Sequence, residues 1–204
     1  MTDPVGVFAS AAQSFAALVH DIPPGRWEGP GLGEWDLRSL VGHASRSLIT
    51  VSTYLNSAAE HEDVTSAQDY YAKIRVYASK LGAADIVERG RQAGRDLGDD
   101  PAATIDRLVS QVVGELADAG DPLISVIGGL GIRLSNYLPT RTFELAVHGL
   151  DIARAVDISF APPPDVLEDA TVLAARIAAV EGDAEAVLMA LTGRSALPPS
   201  FSVV

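Results

Sequence analysis

Residues 137–157 read YLPTRTFELAVHGLDIARAVD, and the spacing within this stretch decides the fold class. Arg141, Glu144, His148 and Asp151 recur at intervals of three, four and three, so on an α-helix they form one polar stripe. Phe143, Leu145, Val147, Leu150, Ile152 and Val156 cover the remaining surface. That 3.6-residue period predicts one long helix over 137–157.

The same period extends outward in both directions. Asp3-Pro4 opens a first helix carrying Phe8, Ala11, Ala12, Phe15, Leu18 and Val19, which Pro23-Pro24-Gly25 closes. The prolines and glycines of 22–35 predict a loop. Asp36 is a good N-cap for a second helix with the stripe Leu37, Leu40, Val41, Ala44, Leu48, Val51 and Leu55, expected to reach Ala59. Thr65 or Ser66 caps a third helical region with Tyr70, Tyr71, Ile74 and Tyr77. Gly82 interrupts it before a further piece ending near Gly98. Asp100-Pro101 starts a helix to Ala119. The run Ile127-Gly128-Gly129-Leu130-Gly131-Ile132 reads as a loop or turn with room for a short extended piece. Ala161-Pro162-Pro163-Pro164 is a linker to helices over 165–180 and 183–191. No apolar–polar alternation runs long enough to imply a sheet. The expectation is an all-α protein, a four-helix bundle with extra short helices. It is read as one domain over 1–204, with the tail 162–204 packed on the bundle.

Composition narrows the function classes. The 204 residues carry a formal net charge of -12, which repels phosphate backbones and anionic membrane surfaces. The longest uncharged apolar run, between Asp121 and Arg133, is about half of the roughly 20 residues that a membrane span needs. The segment Met1-Thr2-Asp3-Pro4 has neither the basic nor the apolar region of a secretory signal. There is no cysteine, so thiolate ligands and a protein-borne thiol nucleophile are excluded. These features fit a cytoplasmic protein that binds neither nucleic acid nor membrane. Homodimerisation through an exposed apolar helix face stays open.

Four histidines can be weighed individually. His20 falls at the end of the first helix, where an imidazole meets the last carbonyls. His61 sits among acidic residues and is expected in solvent. Glu144 and His148 are four apart on one helix face, so both side chains can converge on one ion. The same stripe is also what an ordinary solvated helix face looks like. His43 lies at the edge of the second helix's apolar arc, directed at a neighbouring helix. With Glu144 and His148 it makes a set of two imidazoles and one carboxylate that leaves a coordination position open. Two histidines and a carboxylate also form the facial triad of non-haem iron enzymes, and a non-catalytic metal- or ligand-binding module is a further alternative. Asp151 reads either as an acceptor for an imidazole N–H or as a solvated carboxylate. Arg46 and Arg141 are candidates to hold a substrate carboxylate, or are surface residues.

The segment EWDLRSLVGH (34–43) resembles the Trp-containing segment of the mycothiol-dependent maleylpyruvate isomerase family, which carries that family's first metal histidine. The segment RTFELAVHGLDIA (141–153) is similar to its second motif, with a Glu and a His as further ligands, and ALTGR (190–194) is similar to the ending of many actinobacterial members. The resemblance implies a DinB-like four-helix bundle. It implies a divalent metal, usually zinc, on His43, Glu144 and His148, with the small-molecule thiol mycothiol as cosubstrate. The implied activity is that of a thiol-dependent transferase or isomerase acting on a small electrophile. Maleylpyruvate isomerase itself resembles a two-domain protein. The roughly 40 residues after Pro164 are fewer than a typical second domain needs, so none of its substrate residues is carried over.

Overall fold

The computed structural model describes residues 3–78 and 82–204. Met1 and Thr2, the start of the segment read for a secretory signal, lie outside the described residues, and Tyr77 lies outside the described side chains. Among the described residues the α-helices are α1 (Pro4–His20), α2 (Leu37–Leu55), α3 (Ala67–Ala78), α4 (Ala83–Asp96), α5 (Pro101–Ala117), α6 (Leu134–Val156), α7 (Pro164–Val180) and α8 (Ala184–Leu191). The protein is predominantly all-α, as the 3.6-residue period predicts.

The caps are those the sequence offers. The Asp3 carboxylate accepts from the Val5 N–H at 3.1 Å, Asp36 from Ser39 at 2.7 Å and Asp100 from Ala103 at 3.0 Å. Helices α1, α2, α5 and α6 form the bundle: α6 packs on α1 and α2, and α5 closes the other side against the same two. Phe8 and Phe15 of α1, Leu40 and Leu48 of α2, Ile105 and Val112 of α5, and Leu138 and Leu145 of α6 are buried between them. Removal of these apolar faces from water is the main force holding the four helices together. Helix α7 lies against α6, α3 and α1, and α8 against α7.

Three expectations need correction. The second helix stops at Leu55 rather than Ala59. The chain after it turns extended, and its backbone pairs with a strand instead: Ser125 N–H donates to the Ser57 carbonyl at 2.7 Å, and Ala59 N–H to the Leu123 carbonyl at 3.1 Å. A small sheet therefore exists where none was expected. Strands β1 (Leu123–Ser125) and β2 (Gly131–Arg133) pair antiparallel, joined by a 3-10 turn in which Gly128 and Gly129 take φ near +75°. Three-residue strands are too short for alternation to register in sequence. Helix α6 also begins at Leu134, so Pro139 stands inside it.

Helix α4 sits closer to α2 than ordinary side chains allow. A Cβ at Gly42 would lie 2.2 Å from the Gly94 nitrogen, so the two backbones touch. This approach brings α4 alongside the N-terminal half of α2.

Candidate metal centre

Asp36 caps α2, and His43 follows two turns later on the side facing α6. Its ring is wedged between two others. Trp35 lies against it with centroids 4.5 Å apart and a tilt of 32°, and His148 meets it edge-on at 5.0 Å. Trp35 is itself fixed: its indole N–H donates to the Val87 carbonyl of α4 at 3.0 Å. Gly90 provides its seat, since a Cβ there would come within 2.4 Å of the indole. The α2–α4 backbone contact thus positions Trp35, and Trp35 positions His43.

Helix α6 supplies the opposite wall. His148 Nε2 stands 3.3 Å from Glu144 Oε2, and its Nδ1 stands 3.4 Å from Asp151 Oδ2. The Tyr71 hydroxyl of α3 donates to Glu144 Oε1 at 2.9 Å. One ligating atom from each of His43, Glu144 and His148 can be chosen so that all three lie within 4.8 Å of one another. Two imidazole nitrogens and a carboxylate oxygen this close suit a divalent cation of borderline softness, with room for a further ligand. The donor chemistry and the spacing both fit a metal.

The electrostatics have separate causes for each group. Burial pushes the His43 imidazole down to about 4, with the charge of His148 adding to the effect. Burial also opposes charge on His148, but its hydrogen bonds with Asp151 and Glu144 outweigh it and raise the group to about 9. Glu144 falls to about 2: burial alone would raise it, and the His148 hydrogen bond and the Arg141 charge reverse the sign. Without a metal, the site therefore holds a neutral His43 beside a Glu144–His148 ion pair.

Next to the ion pair is a cavity of about 230 Å³ lined by His43, Glu144, Arg46 and Arg141, among others. Arg141 is stacked on aromatic faces, its guanidinium carbon 5.1 Å from the Tyr137 ring centre and 5.5 Å from that of Tyr70. Its Nε donates to Thr140 Oγ1 at 3.0 Å. Both tyrosines are buried, and burial raises their hydroxyl pKa values, so they stay neutral beside the cation.

The structure brings together all three residues read as ligands, along with Asp151, Arg46 and Arg141. His20 and His61 are elsewhere. His20 pairs with Asp106 of α5 at 2.9 Å on the surface, and His61 is exposed. Sequence reasoning gave no role to Tyr71 or Trp35. Tyr71 shows only as an aromatic in a helical stripe, and its bond to Glu144 spans 73 residues of chain. Trp35 stands next to the Asp36 cap, and nothing local says that its ring meets His43.

A family model described as the mycothiol maleylpyruvate isomerase N-terminal domain matches residues 8–153, a span holding His43, Glu144 and His148 and ending before α7. No curated protein and no solved structure matches the chain.

Proposed function

The chain belongs to the mycothiol maleylpyruvate isomerase N-terminal domain family, and from that premise we propose that it is a metal- and thiol-dependent transferase or isomerase acting on a small electrophile. One observation carries the reading: ligating atoms of His43, Glu144 and His148 converge within 4.8 Å at the edge of a cavity. These three residues hold one divalent cation, zinc by the character of the donors. A cation bound there would supply Lewis acidity and favour the deprotonated form of a thiol near neutral pH. The chain has no cysteine, so the sulfur comes from a cosubstrate, mycothiol by family, in the cytoplasm.

The protein's own groups do the rest. Asp151 faces His148 Nδ1, which fixes the ring and leaves Nε2 directed at Glu144. Tyr71 holds Oε1 of Glu144, while Oε2 faces His148 Nε2. Arg141, oriented by its two tyrosines, places a fixed positive charge in the cavity and binds an anionic group on the electrophile. Arg46 lines the same cavity and adds a second cation. The tyrosine rings and Ile74 narrow the water-accessible space around the reacting atoms.

Elemental analysis of protein purified without a metal-binding tag tests the reading, wild type beside His43→Ala. About one equivalent of zinc, lost in the variant, followed by thiol consumption with an added electrophile, is the expected result. A protein that takes up no added zinc would sink the reading. Zinc bound at the site without thiol chemistry would leave a metal-binding module instead, and iron with oxygen consumption would point to the facial-triad class.

A further inference from the structure

A second cavity, of about 400 Å³, lies among α2, α4 and α5 and shares Arg46 with the cavity of the metal site. Three helices each turn one arginine toward it: Arg46 from α2, Arg89 from α4 and Arg107 from α5. Among the described residues Asp96 is the one carboxylate on its lining, and the Gln92 amide donates to it at 2.7 Å. Elsewhere the arginines Arg38, Arg75 and Arg95 each meet a carboxylate oxygen within 3.1 Å. Among the described residues none of the three cavity arginines does; Arg107 donates to the Thr104 hydroxyl at 3.1 Å.

This is unexpected for a chain with 27 acidic and 15 basic residues. Three like charges facing one hollow repel each other, and carboxylates are abundant enough to have compensated them. The floor of the hollow is apolar: Leu97 and Ala93 are buried there, and Ile49 and Leu108 flank them. A cationic rim above an apolar floor, in a volume within the roughly 300–1,000 Å³ usual for small-molecule sites, selects for charge and oiliness together.

We propose that this cavity is a binding site for a small organic anion, with a carboxylate or phosphate held by Arg46, Arg89 and Arg107 and an apolar body against Leu97, Ile49 and Leu108. The guanidinium fork matches either oxyanion in bidentate geometry. Arg46 is common to both cavities, while Arg89 and Arg107 line only this one, so the proposal does not depend on the metal reading.

Titration calorimetry with three aromatic probes tests it: 2-naphthoate, 2-naphthyl phosphate and the uncharged 2-naphthamide, at fixed ionic strength. At least one anion should bind ten times more tightly than the amide, and the preferred anion shows whether carboxylate or phosphate is the natural group. The double variant R89A/R107A changes two exposed side chains, and its thermal midpoint reports that the fold is kept. It should weaken the preferred anion at least tenfold and leave the amide unchanged. His43→Ala should leave anion binding as in the wild type whether or not metal binding is lost. Three outcomes would each overturn the proposal. These are equal binding of anion and amide (absence of binding included), anion binding that survives R89A/R107A, and anion binding lost in His43→Ala.

Discussion

Helices α4 and α6 both carry a charged stripe, and the two stripes have opposite fates. On α4, Arg95 meets Glu88 at 2.6 Å with both side chains more than half exposed, at 54% and 59%. On α6, His148 meets Glu144 at 3.3 Å with 14% and 23% exposed, and Tyr71 and Arg141 close in around them. Periodicity identifies a polar face equally well in both. What that face meets, water or a neighbouring helix, depends on where the topology places it. Polar groups drawn inward in this way are costly unless paired, and such pairing is typical of functional sites.

The largest difference between the stripes should appear on deletion. Glu144→Ala leaves Arg141 without its nearby carboxylate and protonated His148 with Asp151 alone, and should cost about 3 kcal/mol of unfolding free energy in a urea titration. Arg95→Ala on α4 should leave the urea midpoint where it was. Equal midpoint shifts for the two variants would erase the distinction. Next in size, Asp151→Asn should weaken zinc binding by about 10- to 100-fold in a chelator competition, through a less firmly oriented His148. A wild-type affinity would return Asp151 to the status of a solvated helix carboxylate.

Acidity sharpens the contrast further. The imidazole of His148 must lose its proton to ligate, and without metal it holds that proton up to about pH 9. Zinc affinity should therefore rise about tenfold per pH unit between pH 6 and 9. The metal-free fold responds in the opposite sense. A raised pKa stabilises fully below the unfolded value of 6.5, and this contribution is lost as pH climbs through about 9. The urea midpoint of metal-free protein should fall over that window, and a flat profile would contradict the Glu144–His148 ion pair. The smallest effect belongs to the motif before His43: Asp36→Ala removes the cap on Ser39 N–H and should cost about 1 kcal/mol.

The sequence carried these features unequally. Helix starts at Asp3, Asp36 and Asp100 were legible because a cap is a local chemical signal. The residues that converge on the candidate site were legible because His43 and the Glu144–His148 pair lie in two segments that resemble one family. The end of α2 at Leu55 was not legible, because residues 57–59 are drawn into pairing with a strand more than sixty residues away. Pro139 hid the start of α6, since a proline reads as a first-turn residue and here stands on the sixth position. The aromatic packing of Arg141 was invisible for a similar reason: Tyr70, half of its aromatic bed, belongs to α3. Contacts made across the chain leave no mark on local spacing.

Helix α6 alone carries Glu144, His148, Asp151 and Arg141, while α2 carries His43. The relative placement of the first four is thus set by helical geometry rather than by loops. Gaining or losing one residue between Glu144 and His148 would turn one past the other by about 100° and shift it by about 1.5 Å. The length of chain from α2 to α6 is under no such restriction, provided that the two helices still meet. The loops between residues 56 and 133 can lengthen or shorten and keep the three candidate ligands in register, provided that α3, α4 and α5 still bring Tyr71 to Glu144, seat Trp35 against His43 and close the bundle. Common ancestry would then be carried by two short words of sequence with an interval of variable length between them.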